Sequence, residues 1–171
     1  MQKLSLKTYP EKILREKLKN INKVTEKERK ILKEMLALMQ ATGGVGLAAN
    51  QAGVDKRLFV VDLQDGYGPL FIINPKIVKK EGMVEMQEGC LSVPGAVVKV
   101  KRAEKVVVEG LNIEGEPIKI EADGLLARAF QHEIDHLNGK LIIDYLKLPV
   151  KLKIILQLKK NKKNTAKIEK S

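Results

Sequence analysis

The sequence predicts an α+β fold, and three observations predict it. Helix-spaced apolar residues occupy both ends of the chain. Short apolar runs, divided by turns rich in Gly, Pro and Asn, fill the middle. Both histidines of the chain, His132 and His136, fall inside one late helical pattern. Helices segregated from a run of strands imply antiparallel sheets. The expected architecture is antiparallel sheets packed around the central histidine helix, with helices at the N-terminus and one at the C-terminus.

The elements follow in order. Tyr9-Pro10-Glu11 is expected to open a first helix, with Pro near N1 and an acid in the first turn. Ile13, Leu14, Leu18 and Ile21 give it a helical spacing. Thr25 followed three residues later by Glu28 is a capping box, and starts a second helix. Thr42-Gly43-Gly44 ends it. Residues 44–51 contain a G-x-G-x-x-A string, but a helix precedes it where a dinucleotide site requires a strand. The small residues instead suit close approach of another backbone.

Residues 57–63 and 70–78 are expected strands, with Pro75 confining the second to an edge or a bulge. Strands over 97–101, 106–110 and 117–120 follow, the last two joined by a turn at 112–115. The histidine helix starts near Asp123 or Gly124 and stops at Asn138-Gly139. Leu141-Ile142-Ile143 reads as one more short strand, and Pro149 opens a last helix. The expected organisation is one domain over residues 1–158, followed by a lysine-rich tail over 159–171 that frays.

Composition bounds the function. The 171 residues, 44% hydrophobic, suffice for one self-sufficient core. No apolar run is long enough to span a membrane, and the start lacks a secretory signal. A single cysteine excludes an internal disulfide and fits a reducing cytoplasm. The net charge of +11 suits nucleic acid, an anionic surface or simple solubility.

Chemistry concentrates at Gln131-His132-Glu133-Ile134-Asp135-His136. Two histidines placed at random would fall four apart roughly once in a hundred sequences. On a helix they share one face, where both rings reach one metal ion. Glu133, one position on, is turned to serve as a base beside the metal without ligating it. A third ligand is still needed. The H-E-x-x-H-x-x-G-x-x-H pattern fails, because position 142 is Ile. A later glutamate is offered only by Glu169, in the expected tail. Cys90, beside a glycine in Gln87-Glu88-Gly89-Cys90-Leu91-Ser92, can supply the missing thiolate. Three ligands rather than four favour an open, catalytic centre.

The segments Gly44-Val45-Gly46-Leu47-Ala48-Ala49-Asn50-Gln51, Glu88-Gly89-Cys90-Leu91-Ser92 and Gln131-His132-Glu133-Ile134-Asp135-His136 resemble, in order, the three signature motifs of bacterial peptide deformylase. The likeness extends to about residue 148. It implies a metal-dependent amidase that removes the formyl group from N-formylmethionine on new polypeptides. It implies Cys90, His132 and His136 as ligands of one divalent ion, typically Fe2+, with Zn2+, Ni2+ or Co2+ as substitutes. Glu133 would be the general acid/base, and Gln51 with the Leu91 backbone N–H would stabilise the oxyanion.

An extended peptide would then pair beside Gly44, Val45, Gly46 and Gly89. Leu125 and Ala129 share the His132 face of the helix and, with Val45 and Met86, are candidate walls for the methionine side chain. Arg128 is expected at the pocket rim. Asp135 is expected to pair with Arg102 and fix the helix against the sheet. Some family members carry an arginine after Ser92-Val93-Pro94, and Gly95-Ala96-Val97-Val98 offers none. From Lys147 onward the chain holds nine lysines and one glutamate, which suits transient ribosome contact. Two rivals stand beside this reading. One is a metalloprotease using the same His-Glu pair. The other is a basic RNA-binding module with a structural metal.

Overall fold

The computed structural model describes the backbone of residues 4–168 and the side chains of residues 4–160. Helix α1 spans Glu26–Ala41. Seven strands follow: β1 Gly46–Ala48, β2 Leu58–Val61, β3 Leu70–Glu81, β4 Val84–Glu88, β5 Val98–Arg102, β6 Lys105–Leu111 and β7 Pro117–Asp123. Helix α2 covers Gly124–Leu137 and helix α3 covers Leu148–Ile168. All strand pairings are antiparallel. Five strands form one sheet in the order β1-β2-β3-β6-β7, and β4 with β5 forms a separate pair.

Local chemistry explains the element ends. Glu28 Oε2 accepts the Thr25 N–H at 3.0 Å, which completes the capping box of α1. Pro75 sits at an irregularity of register between Ile73 and Lys76, so β3 accepts it at a bulge although β3 lies inside the sheet. Asp123 takes the N-cap position of α2 without a side-chain cap bond. Gly139 closes α2 at φ +73°, and a Cβ there would lie 2.5 Å from the Arg15 carbonyl oxygen.

Two expected elements differ. The helix expected over 10–21 is a single 3-10 turn, Lys12–Arg15, followed by extended chain. Leu14 packs in one core and Leu18 in another, and one helix face does not serve both. The Leu18 N–H instead bonds to the Leu137 carbonyl at 2.9 Å. The strand expected at 141–143 belongs to a 3-10 turn, Ile142–Tyr145, whose apolar residues fill the second core. Strand β4 carries few apolar side chains, and its pattern did not announce it.

The larger core lies between the five-stranded sheet, α1 and α2, with Phe59 of β2 against Phe130 of α2 at 5.7 Å between ring centroids. The smaller core gathers Leu14, Val93, Val98, Val100, Ile142, Ile143 and Leu158. Helix α3 attaches to it through Leu158, while Leu148, Leu152 and Leu156 are exposed. It continues through 159–168, the stretch expected to fray; Glu169 lies outside the described residues. Among the described residues, no helix is long and apolar enough to cross a membrane.

Candidate metal centre and cleft

The i,i+4 spacing on α2 brings the two rings together, with Nε2 of His132 and Nε2 of His136 at 3.1 Å. Cys90 arrives from a segment 46 residues before His136. It stands in the turn after β4, and the β4–β5 pairing delivers it to α2. Its Sγ lies 3.2 Å from His136 Nε2. The three ligand atoms all lie within 4.8 Å of one another. Bonds of about 2.0–2.3 Å to a tetrahedral ion would set its ligands roughly 3.3–3.6 Å apart. The cluster is close to that size. A soft sulfur with two imidazoles suits zinc or ferrous iron, and three donors leave a position open. The residues therefore fit a catalytic metal.

Glu88 organises what lies behind the ligands, and the sequence reading missed its role. Its Oε2 lies 3.0 Å from His132 Nδ1. Arg102 grips it bidentately, Nε to Oε1 at 2.6 Å and Nη2 to Oε2 at 2.9 Å. Burial alone would raise the Glu88 pKa, but His132 and Arg102 hold it at about 2. The carboxylate therefore stays ionised and accepts from Nδ1–H, which orients the ring so that Nε2 faces the cluster. Burial opposes charge on His132, yet Cys90 and Glu88 push its pKa up to about 10. His136 is held low by burial. The expected pair is present: Arg102 Nη1 donates to Asp135 Oδ2 at 2.9 Å. Tyr145 O–H donates to the same oxygen at 2.7 Å.

Glu133 lies beside the ligands and is 3% exposed. Burial pushes its pKa up to about 7, which suits a proton acceptor at neutral pH. Gly46 makes room for it. A Cβ at Gly46 would sit 2.3 Å from Glu133 Oε1. The Gln51 carboxamide is held from both ends. Its Oε1 accepts the Ala48 N–H at 2.9 Å, and its Nε2 donates to Ser92 Oγ at 3.2 Å and lies 3.6 Å from Cys90 Sγ. Asn50, a second residue the sequence reading missed, ties the same segment to α2 through its Nδ2 to the His136 carbonyl at 2.6 Å.

A cavity of about 580 Å³ opens over these groups. Gly44, Val45, Gly46 and Gly89 line one side, with Leu91 and Gln51. Leu125, Arg128 and Ala129 line another, ending at His132 and Glu133. Two expectations need correction. Met86 is not on the cavity wall; it is half-exposed, and its neighbours Gln87 and Glu88 line the space instead. Arg128 is not at a solvent-facing rim. It is 5% exposed, because its guanidinium turns inward to Glu88. A smaller cavity of about 290 Å³, near Lys79 and Leu126, contains none of the clustered groups.

The sequence pattern of the family described as polypeptide deformylase matches residues 3–151. The peptide deformylase of Halothermothrix orenii is 50% identical over 144 residues, covering 84% of this chain and 94% of that one. That of Thermodesulfovibrio yellowstonii is 44% identical over 163 residues, covering 94% and 98%. The crystal structure of a Legionella pneumophila peptide deformylase superposes with a TM-score of 0.89 at 41% identity, covering 95% of this chain and 97% of that one. The Ehrlichia chaffeensis enzyme in complex with actinonin gives 0.88 at 41% identity, covering 94% and 98%. With the three motifs, the fold and the cluster in agreement, the chain belongs to the polypeptide deformylase family.

Proposed function

We propose that the chain is a metal-dependent hydrolase that removes the formyl group from the N-terminal formylmethionine of new polypeptides. The observation that carries this is the convergence of Cys90, His132 and His136 beside buried Glu133 at the inner end of an apolar cleft. A divalent ion on these three residues, Fe2+ by family resemblance or Zn2+, Ni2+ or Co2+, would supply the Lewis acidity that makes water nucleophilic at neutral pH.

The chain's own groups supply the rest. Glu133 takes a proton from water as the oxygen adds to the formyl carbon. Charge then grows on the formyl oxygen, where Gln51 Nε2 and the Leu91 N–H donate. Glu133 returns the proton to the amine nitrogen as the C–N bond breaks, and formate leaves. β1 is an edge strand of the five-stranded sheet. An extended peptide can pair there beside Gly44, Val45 and Gly46, with Gly89 opposite. Main-chain pairing is indifferent to later side chains, which suits an enzyme acting on many polypeptides.

A cytoplasmic setting follows from the substrate. The lysines of α3 support transient contact with ribosomal RNA. Removing residues 159–171 should then weaken ribosome co-sedimentation at low salt. The central test is Glu133→Gln, assayed anaerobically on formyl-Met peptides. Metal should be retained and formate release should fall about a hundred- to ten-thousandfold. Retained formate release would refute the role of Glu133. Cleavage of internal peptide bonds that survives loss of Cys90 would support a protease instead.

A further inference from the structure

Gln51 stands in a single 3-10 turn, Ala49–Ala52, and so short a turn leaves its last carbonyls without partners of their own. The Gln51 carbonyl finds a partner far from its motif. It accepts the Lys7 N–H at 2.7 Å. Two residues on, the Tyr9 N–H donates to the Ser92 carbonyl at 2.9 Å. The Thr8 N–H between them goes instead to Glu11 Oε1 at 3.2 Å. In extended chain every second residue faces the same side. Residues 7–9 therefore lie across two of the motif segments and bond to both.

These bonds close a ring. Gln51 Nε2 donates to Ser92 Oγ, Ser92 accepts from Tyr9 through its carbonyl, and Lys7 returns to the Gln51 carbonyl. Gln51 is 1% exposed and Ser92 0%, so water does not replace a bond lost from the ring. The Ala48 N–H and Ser92 Oγ fix how the carboxamide is turned. Lys7 fixes where its backbone stands. The Lys7 stem rests on the same turn, since a Cβ at Gly53, which caps it, would lie 2.7 Å from Lys7 Cε. Neither Lys7 nor Tyr9 lines the cleft, so any effect they have on turnover passes through the residues they hold.

We propose that Lys7–Tyr9 is a positioning strap, whose backbone N–H groups hold Gln51 Nε2 where charge develops on the formyl oxygen. The inference rests on the deformylase reading and on Gln51 as an oxyanion donor. The test uses Lys7→Pro, which removes the N–H. On formyl-Met-Ala-Ser, kcat should fall about tenfold or more, as a displaced donor predicts, with KM little changed and metal content equal to the parent. Lys7→Ala removes the stem and keeps the N–H, so its kcat should stay within about threefold of the parent.

A double-mutant cycle separates positioning from a general loss of structure. With the donor already deleted in Gln51→Leu, adding Lys7→Pro should cost less than about threefold. A merely structural strap would cost the same factor in both backgrounds, and that result overturns the proposal. So does a kcat within about threefold of the parent in folded, metal-loaded Lys7→Pro, or an equal loss in Lys7→Ala. If Lys7→Pro does not accumulate as folded protein, Tyr9→Pro removes the other N–H and is read in the same way against Tyr9→Ala. Failure of the parent protein to release formate overturns the deformylase reading, and the strap with it.

Discussion

Gly46→Ala would place a methyl carbon 2.3 Å from Glu133 Oε1, 2.9 Å from its Cδ and 3.2 Å from its Cγ. Ordinary contact begins near 3.4 Å. The carboxylate must therefore retreat by about 1 Å, a displacement that costs on the order of a hundredfold in rate when it moves a catalytic group. The backbone contributes no strain of its own, because Gly46 lies in a regular strand outside the positive-φ set. The ligands are untouched. The expected result is a kcat about a hundredfold lower, equivalent to about 2.7 kcal/mol of transition-state stabilisation. Metal content should be unchanged, and the melting temperature nearly so. Formate release under saturating peptide gives kcat. The KM reports separately on peptide pairing along β1. A kcat within about fivefold of the parent would show that Gly46 does not hold the carboxylate in place.

Three further outcomes follow. Glu88→Gln leaves the His132 ring without a charged partner, so metal affinity measured by chelator competition should weaken about 10–100-fold; equal affinity would remove Glu88 from the ligand support. Gln51→Leu deletes one donor to the developing oxyanion and should lower kcat about a hundred- to a thousandfold with KM little changed; a loss under fivefold would assign the stabilisation elsewhere. Burial would raise the Glu28 pKa, but Lys56 and Thr25 hold it at about 2, below its ordinary 4.5. A depressed carboxylate stabilises the fold above its unfolded pKa and loses that contribution as pH falls. Melting temperatures of the protein and Glu28→Gln should therefore differ most near neutral pH and converge between about pH 4.5 and 2; parallel curves would refute the linkage.

The cluster of Cys90, His132 and His136 was legible because its chemistry is rare and local. Two histidines one helical turn apart define a face whatever surrounds them, and the sole cysteine left no choice of thiolate. The bulge at Pro75 and the cap at Thr25 were legible for the same reason, since each follows from backbone chemistry at one residue. Glu88 was not, although it stands two residues from Cys90. Its partners lie 14, 40 and 44 residues away, and only the assembled sheet and helix bring them to one carboxylate. Arg128 was placed on the right face but at the wrong depth, because helical spacing gives direction and says nothing of how far a long side chain folds inward. The segment holding Leu14 and Leu18 misled by pattern. An i,i+4 spacing describes one helix face equally well as an extended chain crossing between two cores.

The division of the Cys90, His132 and His136 cluster between those cores has a mechanical consequence. Cys90 packs with the smaller core, while α2, which carries both histidines, is built into the larger. An ion shared by the three is therefore a rivet through the seam between the two halves. Chelation should lower the melting temperature as well as stop turnover, since binding energy at such a joint is also folding energy. The atoms that would perform the hydrolysis are the same atoms that would fasten the molecule together.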